Sequence, residues 1–111
     1  MANVLQNTEV SLIVPSGHIN AANSELFRRQ LVEAISTPTS SPLAVDMSSV
    51  ESLDSAGLMA LVSALSAAQA QNREFFICSV PAPIRIIFEL TQLDQVFEIL
   101  DETPAPMALA A

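Results

Sequence analysis

Lysine, tryptophan and tyrosine are absent from this chain of 111 residues, and it holds one cysteine and two glycines. Each scarcity narrows what the protein does. Four arginines stand against twelve carboxylates, a net charge of −8 at pH 7, whereas binding a nucleic-acid backbone relies on clustered Lys and Arg that displace its counterions. Arg28-Arg29 is the one basic pair, so nucleic acid is not an expected partner, and anionic membranes are disfavoured on the same ground. The apolar runs are short, well below the roughly 18 to 20 residues that span a bilayer, so no membrane insertion is expected. Met1-Ala2-Asn3-Val4-Leu5-Gln6 lacks the basic region and long apolar core of a secretory signal, and the expected location is cytoplasmic. Cys78, inside the run Phe75-Phe76-Ile77-Cys78-Ser79-Val80, has no disulfide partner in the chain and reads as a small buried hydrophobe. The single histidine, His18, has no Cys or His at ligand spacing and reads as a solvated loop residue, so no metal site or cofactor is expected.

What is present fits one domain of about this length. Val10 to Val14 reads as a strand, paired through a turn near Asn7-Thr8 with a weaker one at Val4 to Gln6. After the loop Gly17-His18-Ile19-Asn20, the segment Asn23 to Ser36 places Phe27, Leu31, Ala34 and Ile35 on one helical face, with Asn23 or Ser24 as N-cap. Pro38 and Pro42 end that helix. Leu43-Ala44-Val45 suits a central strand. An acidic, hydroxyl-rich turn leads to a helix from Ser55 to about Gln71, carrying Leu58, Leu61, Val62 and Leu65 at spacings of three and four. A strand from Glu74 to Val80 follows. Pro81-Ala82-Pro83 then opens a third helix with Ile84, Ile87, Phe88 and Thr91 inward, and Val96 to Leu100 supplies a last strand or apolar anchor. The pattern predicts a single α/β domain over residues 1–100, a mixed sheet of four to five strands against three to four helices, with a short tail at 101–111.

Function hangs on the stretch Val45-Asp46-Met47-Ser48-Ser49-Val50-Glu51-Ser52-Leu53-Asp54-Ser55-Ala56-Gly57-Leu58. It sets Ser55 where a loop becomes a helix, among unpaired backbone N–H groups that favour an anion. Ser55 is therefore either a phosphate acceptor or an N-cap, with Asp54 a turn residue in the second case. The following helix has no charged residue from Ser55 through Asn72. Its face of Met59, Ser63, Ser66, Ala67 and Ala70 is small or flexible, a surface for close approach by a partner. An alanine-rich helix or a homodimer contact would give the same composition. Both glycines fall in the loops beside this serine: Gly57 would admit a phosphate or partner, and Gly17 would permit a sharp exit from its strand, though turns alone also require glycine. Asp46 lines the Ser55 pocket or is hydrated.

Two stretches resemble the STAS domain, the fold of bacterial anti-sigma factor antagonists, from about Val10 to Leu100. They are Asp54-Ser55-Ala56-Gly57-Leu58 opening a helix after an apolar strand, and Pro83-Ile84-Arg85-Ile86-Ile87-Phe88-Glu89-Leu90-Thr91-Gln92-Leu93-Asp94-Gln95-Val96-Phe97. The resemblance implies phosphorylation of Ser55 by a serine-kinase anti-sigma factor that binds ATP and Mg²⁺ itself, and reset by a serine phosphatase. Asp54, Ala56, Gly57, Asn20 and Asp46 would form the phosphosite pocket, and Gly17, His18, Leu58, Met59, Ser63, Ser66 and Ala67 the partner surface. Asn20 stands where the family usually has an acid, which makes the pocket less negative. A subset of such domains implies an alternative, a non-phosphorylated accessory subunit docked on the ATPase of a lipid transporter.

An enzyme with a Ser55 nucleophile is disfavoured. Leu53-Asp54-Ser55-Ala56-Gly57 lacks the glycine two residues before the serine that a nucleophile elbow needs, and His18 is the one imidazole available as base. No catalytic residue is expected. A receiver domain phosphorylated on aspartate would need an acid cluster for Mg²⁺ and a lysine, and lysine is absent.

Overall fold

The computed structural model describes residues 10–37 and 41–102. Along the chain run β1 (Ser11–Ile13), β2 (Gly17–Ile19), α1 (Ser24–Ser36), β3 (Leu43–Asp46), β4 (Val50–Leu53), α2 (Ser55–Ala70), β5 (Phe75–Cys78), α3 (Ala82–Leu90), a 3₁₀ turn (Leu93–Gln95) and β6 (Glu98–Leu100). The α/β class is the one predicted, with a different strand inventory. Among the described residues a four-stranded sheet has the order β1-β3-β5-β6 and a separate pair joins β2 to β4. All these pairings are parallel. The expected strand at Val4 to Gln6, the helix stop at Pro38 and most of the C-terminal tail lie outside the described residues.

Parallel strands need crossovers, and the helices supply them. The two central strands are covered on both faces, which is why Leu43-Ala44-Val45 and Phe75-Phe76-Ile77-Cys78 read as nearly continuous apolar runs. Leu43, Ala44, Val45, Ile77 and Cys78 are at most 1% exposed. The Cys78 thiol donates toward the Val45 carbonyl at 3.6 Å.

β2 and β4 correct the expected loop at Gly17-His18-Ile19-Asn20 and the expected turn after Asp46. Their register passes from Gly17↔Val50 to His18↔Ser52, leaving Glu51 as the extra residue of a bulge. A bulge breaks period-two alternation. Val50 and Leu53 are buried while Glu51 and Ser52 are exposed, a pattern that imitates a polar turn.

The helices bury the predicted faces. Phe27, Leu31 and Ile35 of α1, Leu58 and Leu61 of α2, and Ile84 and Phe88 of α3 join one core, where Phe97 packs on Phe88 and Phe75 with ring centroids 5.7 and 6.4 Å apart. Thr91 is the exception. It is exposed at the end of α3, where its hydroxyl donates to the Ile87 and Phe88 carbonyls at 2.8 and 3.2 Å. Helices α1 and α2 run side by side in the same direction. Ser24 and Ala56 border one groove at their starts, and Gln71 Nε2 donates to Ser36 Oγ at 3.4 Å near their ends. The buried stripe Ala60, Ala64 and Ala68 of α2 begins in that groove. Part of the alanine content therefore serves this intramolecular packing rather than a partner.

Arg73, just before β5, was not anticipated as structural. Its guanidinium donates to the carbonyls of Ser41 at 2.8 Å and Ile35 at 3.0 Å, to that of Ala34, and to Ser11 Oγ at 3.3 Å. It thus satisfies the last carbonyls of α1 and ties them to β1. Burial holds its pKa below the ordinary arginine value.

Candidate functional site

Asp54, not Ser55, caps α2. Asp54 sits in extended backbone with its Oδ1 accepting the Gly57 N–H at 3.0 Å, the standard way to satisfy an orphan donor of a first turn. Its Oδ2 accepts the Ala21 N–H at 3.2 Å, and its own N–H donates to the Ile19 carbonyl at 3.1 Å. One carboxylate thereby joins the start of α2 to the loop before α1. Ser55 becomes the first helical residue, exposed and free of the capping role.

The neighbouring loop is built from asparagine chemistry. Asn20 Oδ1 accepts the Ala22 N–H at 2.9 Å, while the Asn20 N–H donates to Asn23 Oδ1 at 2.9 Å. Asn23 Nδ2 reaches back to the His18 carbonyl at 2.8 Å. Asn23 precedes α1 but makes no side-chain cap bond to it; the Ser24 N–H goes to the Asn20 carbonyl at 2.8 Å instead. Short polar side chains that bond their own backbone favour such turns. The result places the starts of α1 and α2 together, with two positive dipole ends beside Ser55.

A shallow groove of about 270 Å³ runs from this end between the helices, with Glu25 and Arg28 on one wall and Ala56, Met59 and Ser63 on the other. Arg28 grips Glu25 through Nε at 3.1 Å and Nη2 at 2.5 Å. These hydrogen bonds, then the charge attraction, hold Arg28 above its ordinary pKa; the same hydrogen bonding holds Glu25 below the usual carboxylate value. Sequence reasoning missed Ala21, Glu25 and Arg28. The spacing Asn20-Ala21-Ala22-Asn23 signals a turn, but nothing local reveals that its Ala21 N–H meets Asp54.

The remaining predicted residues divide. Met59 is 58% exposed, and Ser63, Ser66 and Ala67 are half-buried or exposed, so they form an accessible uncharged face. Leu58 does not belong to it: at 7% exposure it points into the core. Gly57 is also buried, and a Cβ there would lie 2.6 Å from Leu53 Cδ1 and 2.8 Å from Ile19 Cγ2. Glycine at this position answers core packing, not the approach of a phosphate. Gly17 has φ +77° with open space around it, so backbone conformation alone requires it; it opens β2 rather than leaving a strand. His18 is exposed on the β2–β4 pair, its Nδ1 2.7 Å from Ser52 Oγ and its Nε2 3.8 Å from Glu51. Asp46 ends β3 and accepts the Ser48 N–H at 2.9 Å, bonding the turn that leads into β4. Among the described residues no group of three or more His, Cys, Asp and Glu is placed to hold a metal, and no helix is long and apolar enough to cross a membrane.

The sequence pattern of the family described as STAS domain matches residues 1–105. The chain belongs to the STAS domain family. This STAS domain is 25% identical over 93 residues to a Thermotoga maritima protein provisionally named an anti-sigma factor antagonist, covering 84% of this chain and 82% of that protein. A Thermotoga maritima crystal structure with the same provisional naming superposes with a TM-score of 0.75 at 25% identity, over 83% of this chain and 79% of that one. The anti-sigma factor antagonist SpoIIAA in its unphosphorylated form superposes at 0.68 with 14% identity, over 94% and 89% of the two chains. A sulfate transporter family protein from Wolinella succinogenes superposes at 0.74 with 12% identity, over 91% and 84%. The last two likenesses concern the STAS fold alone.

Proposed function

We propose that this STAS domain is a cytoplasmic anti-sigma factor antagonist, switched by phosphorylation of Ser55. Unphosphorylated, it binds a serine-kinase anti-sigma factor and so frees a sigma factor; phosphorylated, it lets go, and a serine phosphatase resets it. ATP and Mg²⁺ belong to the kinase. The observation that carries this reading is the exposed Ser55 at the first position of α2, relieved of capping by Asp54. A phosphate there meets the unpaired N–H groups of the first turn and the helix dipole, an attraction of about 0.3–1 kcal/mol. The free fold therefore tolerates it. In a complex the same group, carrying about −1.5 to −2 charges, must be desolvated next to Asp54, and each 1.4 kcal/mol of that penalty is about tenfold in affinity.

The partner surface in this reading is Ser55 with the exposed side of α2 at Met59, Ser63 and Ser66. The protein acts by binding and not by catalysis: the one imidazole hydrogen-bonds with Ser52 rather than Ser55. Incubation with the candidate kinase, Mg-ATP and phosphatase, followed by mass spectrometry, tests the scheme. Phosphate is expected on Ser55 and absent from Ser55→Ala, and Ser55→Asp is expected to lose binding by at least about tenfold. No modification at Ser55, with binding intact for Ser55→Asp, sinks the switch and favours a non-phosphorylated subunit of a transporter.

A further inference from the structure

The outside of α3 is more apolar than its fold requires. The helix turns Ile84 and Phe88 inward, yet Ile86 and Leu90, one turn apart on the other side, are 52% and 79% exposed. Ala82 and Pro83 extend the same exposed side one turn earlier, and Val96, after the 3₁₀ turn that packs on α3, is 55% exposed. A single exposed aliphatic residue is ordinary, whereas a stripe of them marks an interaction surface. This stripe is separate from Ser55 and Met59, which lie on α2.

The segment that carries it is acidic. From Ala82 to Glu102 there are five carboxylates, Glu89, Asp94, Glu98, Asp101 and Glu102, all exposed, and one arginine. Arg85 is engaged by Asp101 at 3.2 Å. Among the described residues the other four carboxylates enter no ion pair. A second copy packed on this face would set like charges against each other, and an anionic membrane would do the same. An apolar stripe that shares its helix with Glu89 and borders the turn carrying Asp94 is complementary to an amphipathic helix whose leucine-type side chains are flanked by Lys or Arg. We propose that the outer face of α3, centred on Ile86 and Leu90, is a second docking surface that takes a basic amphipathic helix from a partner protein. This surface works whether or not Ser55 is phosphorylated.

The test is titration of the ¹⁵N-labelled full chain with a synthetic leucine–lysine amphipathic helix at near-physiological salt, read as amide shifts and as a dissociation constant. Shifts are expected to gather on residues 82–96. Ile86→Ser with Leu90→Ser is expected to weaken binding by at least about tenfold with an unchanged circular dichroism spectrum, since both side chains face solvent. Glu89→Gln with Asp94→Asn is expected to weaken it and flatten its salt dependence, and Ser55→Asp to leave it unaltered. Shifts gathered on α2, an unaffected serine double variant, or equal binding of a leucine–glutamate helix would each overturn the proposal. So would a wild-type dimer in sedimentation that Leu90→Ser converts to monomer, because the occupant would then be a second copy.

Discussion

Replacing Asp54 separates what this carboxylate does for the fold from what Ser55 does for signalling. Asp54→Ala removes the Oδ1 bond from the Gly57 N–H at 3.0 Å and the Oδ2 bond from the Ala21 N–H at 3.2 Å. Loss of a good N-cap costs about 1 kcal/mol, and the solvent-exposed tie to Ala21 adds about 0.5 kcal/mol. The total of about 1.5 kcal/mol corresponds to a fall of about 7 °C in Tm for a domain of this size. Asp54→Asn keeps an oxygen for Gly57 but turns its amide donor toward another donor at Ala21, so only the smaller part is lost. Ser55→Ala, which removes an exposed hydroxyl outside the cap, should shift stability by less than about 0.5 kcal/mol. Urea unfolding followed by circular dichroism gives all three values. Asp54→Ala as stable as the wild type, or Ser55→Ala as damaging as Asp54→Ala, would refute the assignment of the cap.

Three further outcomes are expected. Gly57→Ala forces a Cβ to within 3.2 Å of the Ile19 carbonyl, which the Asp54 N–H already holds; overpacking of about 1–3 kcal/mol outweighs the helix-propensity gain of about 1 kcal/mol, and a thermal melt with Tm equal to or above the wild type contradicts this. Arg73→Lys keeps the charge but lacks the fork that reaches four acceptors, so unfolding free energy should drop by about 1.5–3 kcal/mol, and an unchanged urea midpoint counts against it. In Arg28→Gln, the Glu25 carboxyl should titrate higher than in the wild type, since Arg28 holds it below its ordinary value. Because the folded value is the depressed one, the pair's stabilisation is present above the ordinary carboxylate range and fades as pH falls through the folded value; ¹³C titration of Glu25 checks the direction.

Much of the architecture was legible because apolar spacing and chain punctuation agree. Phe27, Leu31 and Ile35 recur at a helical period, Leu43-Ala44-Val45 is a run suited to a strand covered on both faces, and Pro81-Ala82-Pro83 opens a helix where a missing N–H does no harm. Asp54-Ser55-Ala56-Gly57 was legible as a helix start for the same reason. The β2–β4 pair was not, because the bulge at Glu51 erases the alternation by which a strand is recognised.

By itself the sequence determined the acidic character, the helical and central-strand segments, and the presence of a serine at the head of an uncharged helix, since all of these depend on local composition and period. Only the tertiary structure decided the roles within the site. That the capping carboxylate of Asp54 also ties α2 to the loop before α1 depends on an Ala21 N–H 33 positions away in the chain. That Gly57 and Leu58 belong to the core depends on Ile19 and Leu53 closing over them. Ser55 is exposed at the first position of the helix, and the Gly57 N–H goes to Asp54 rather than to its hydroxyl.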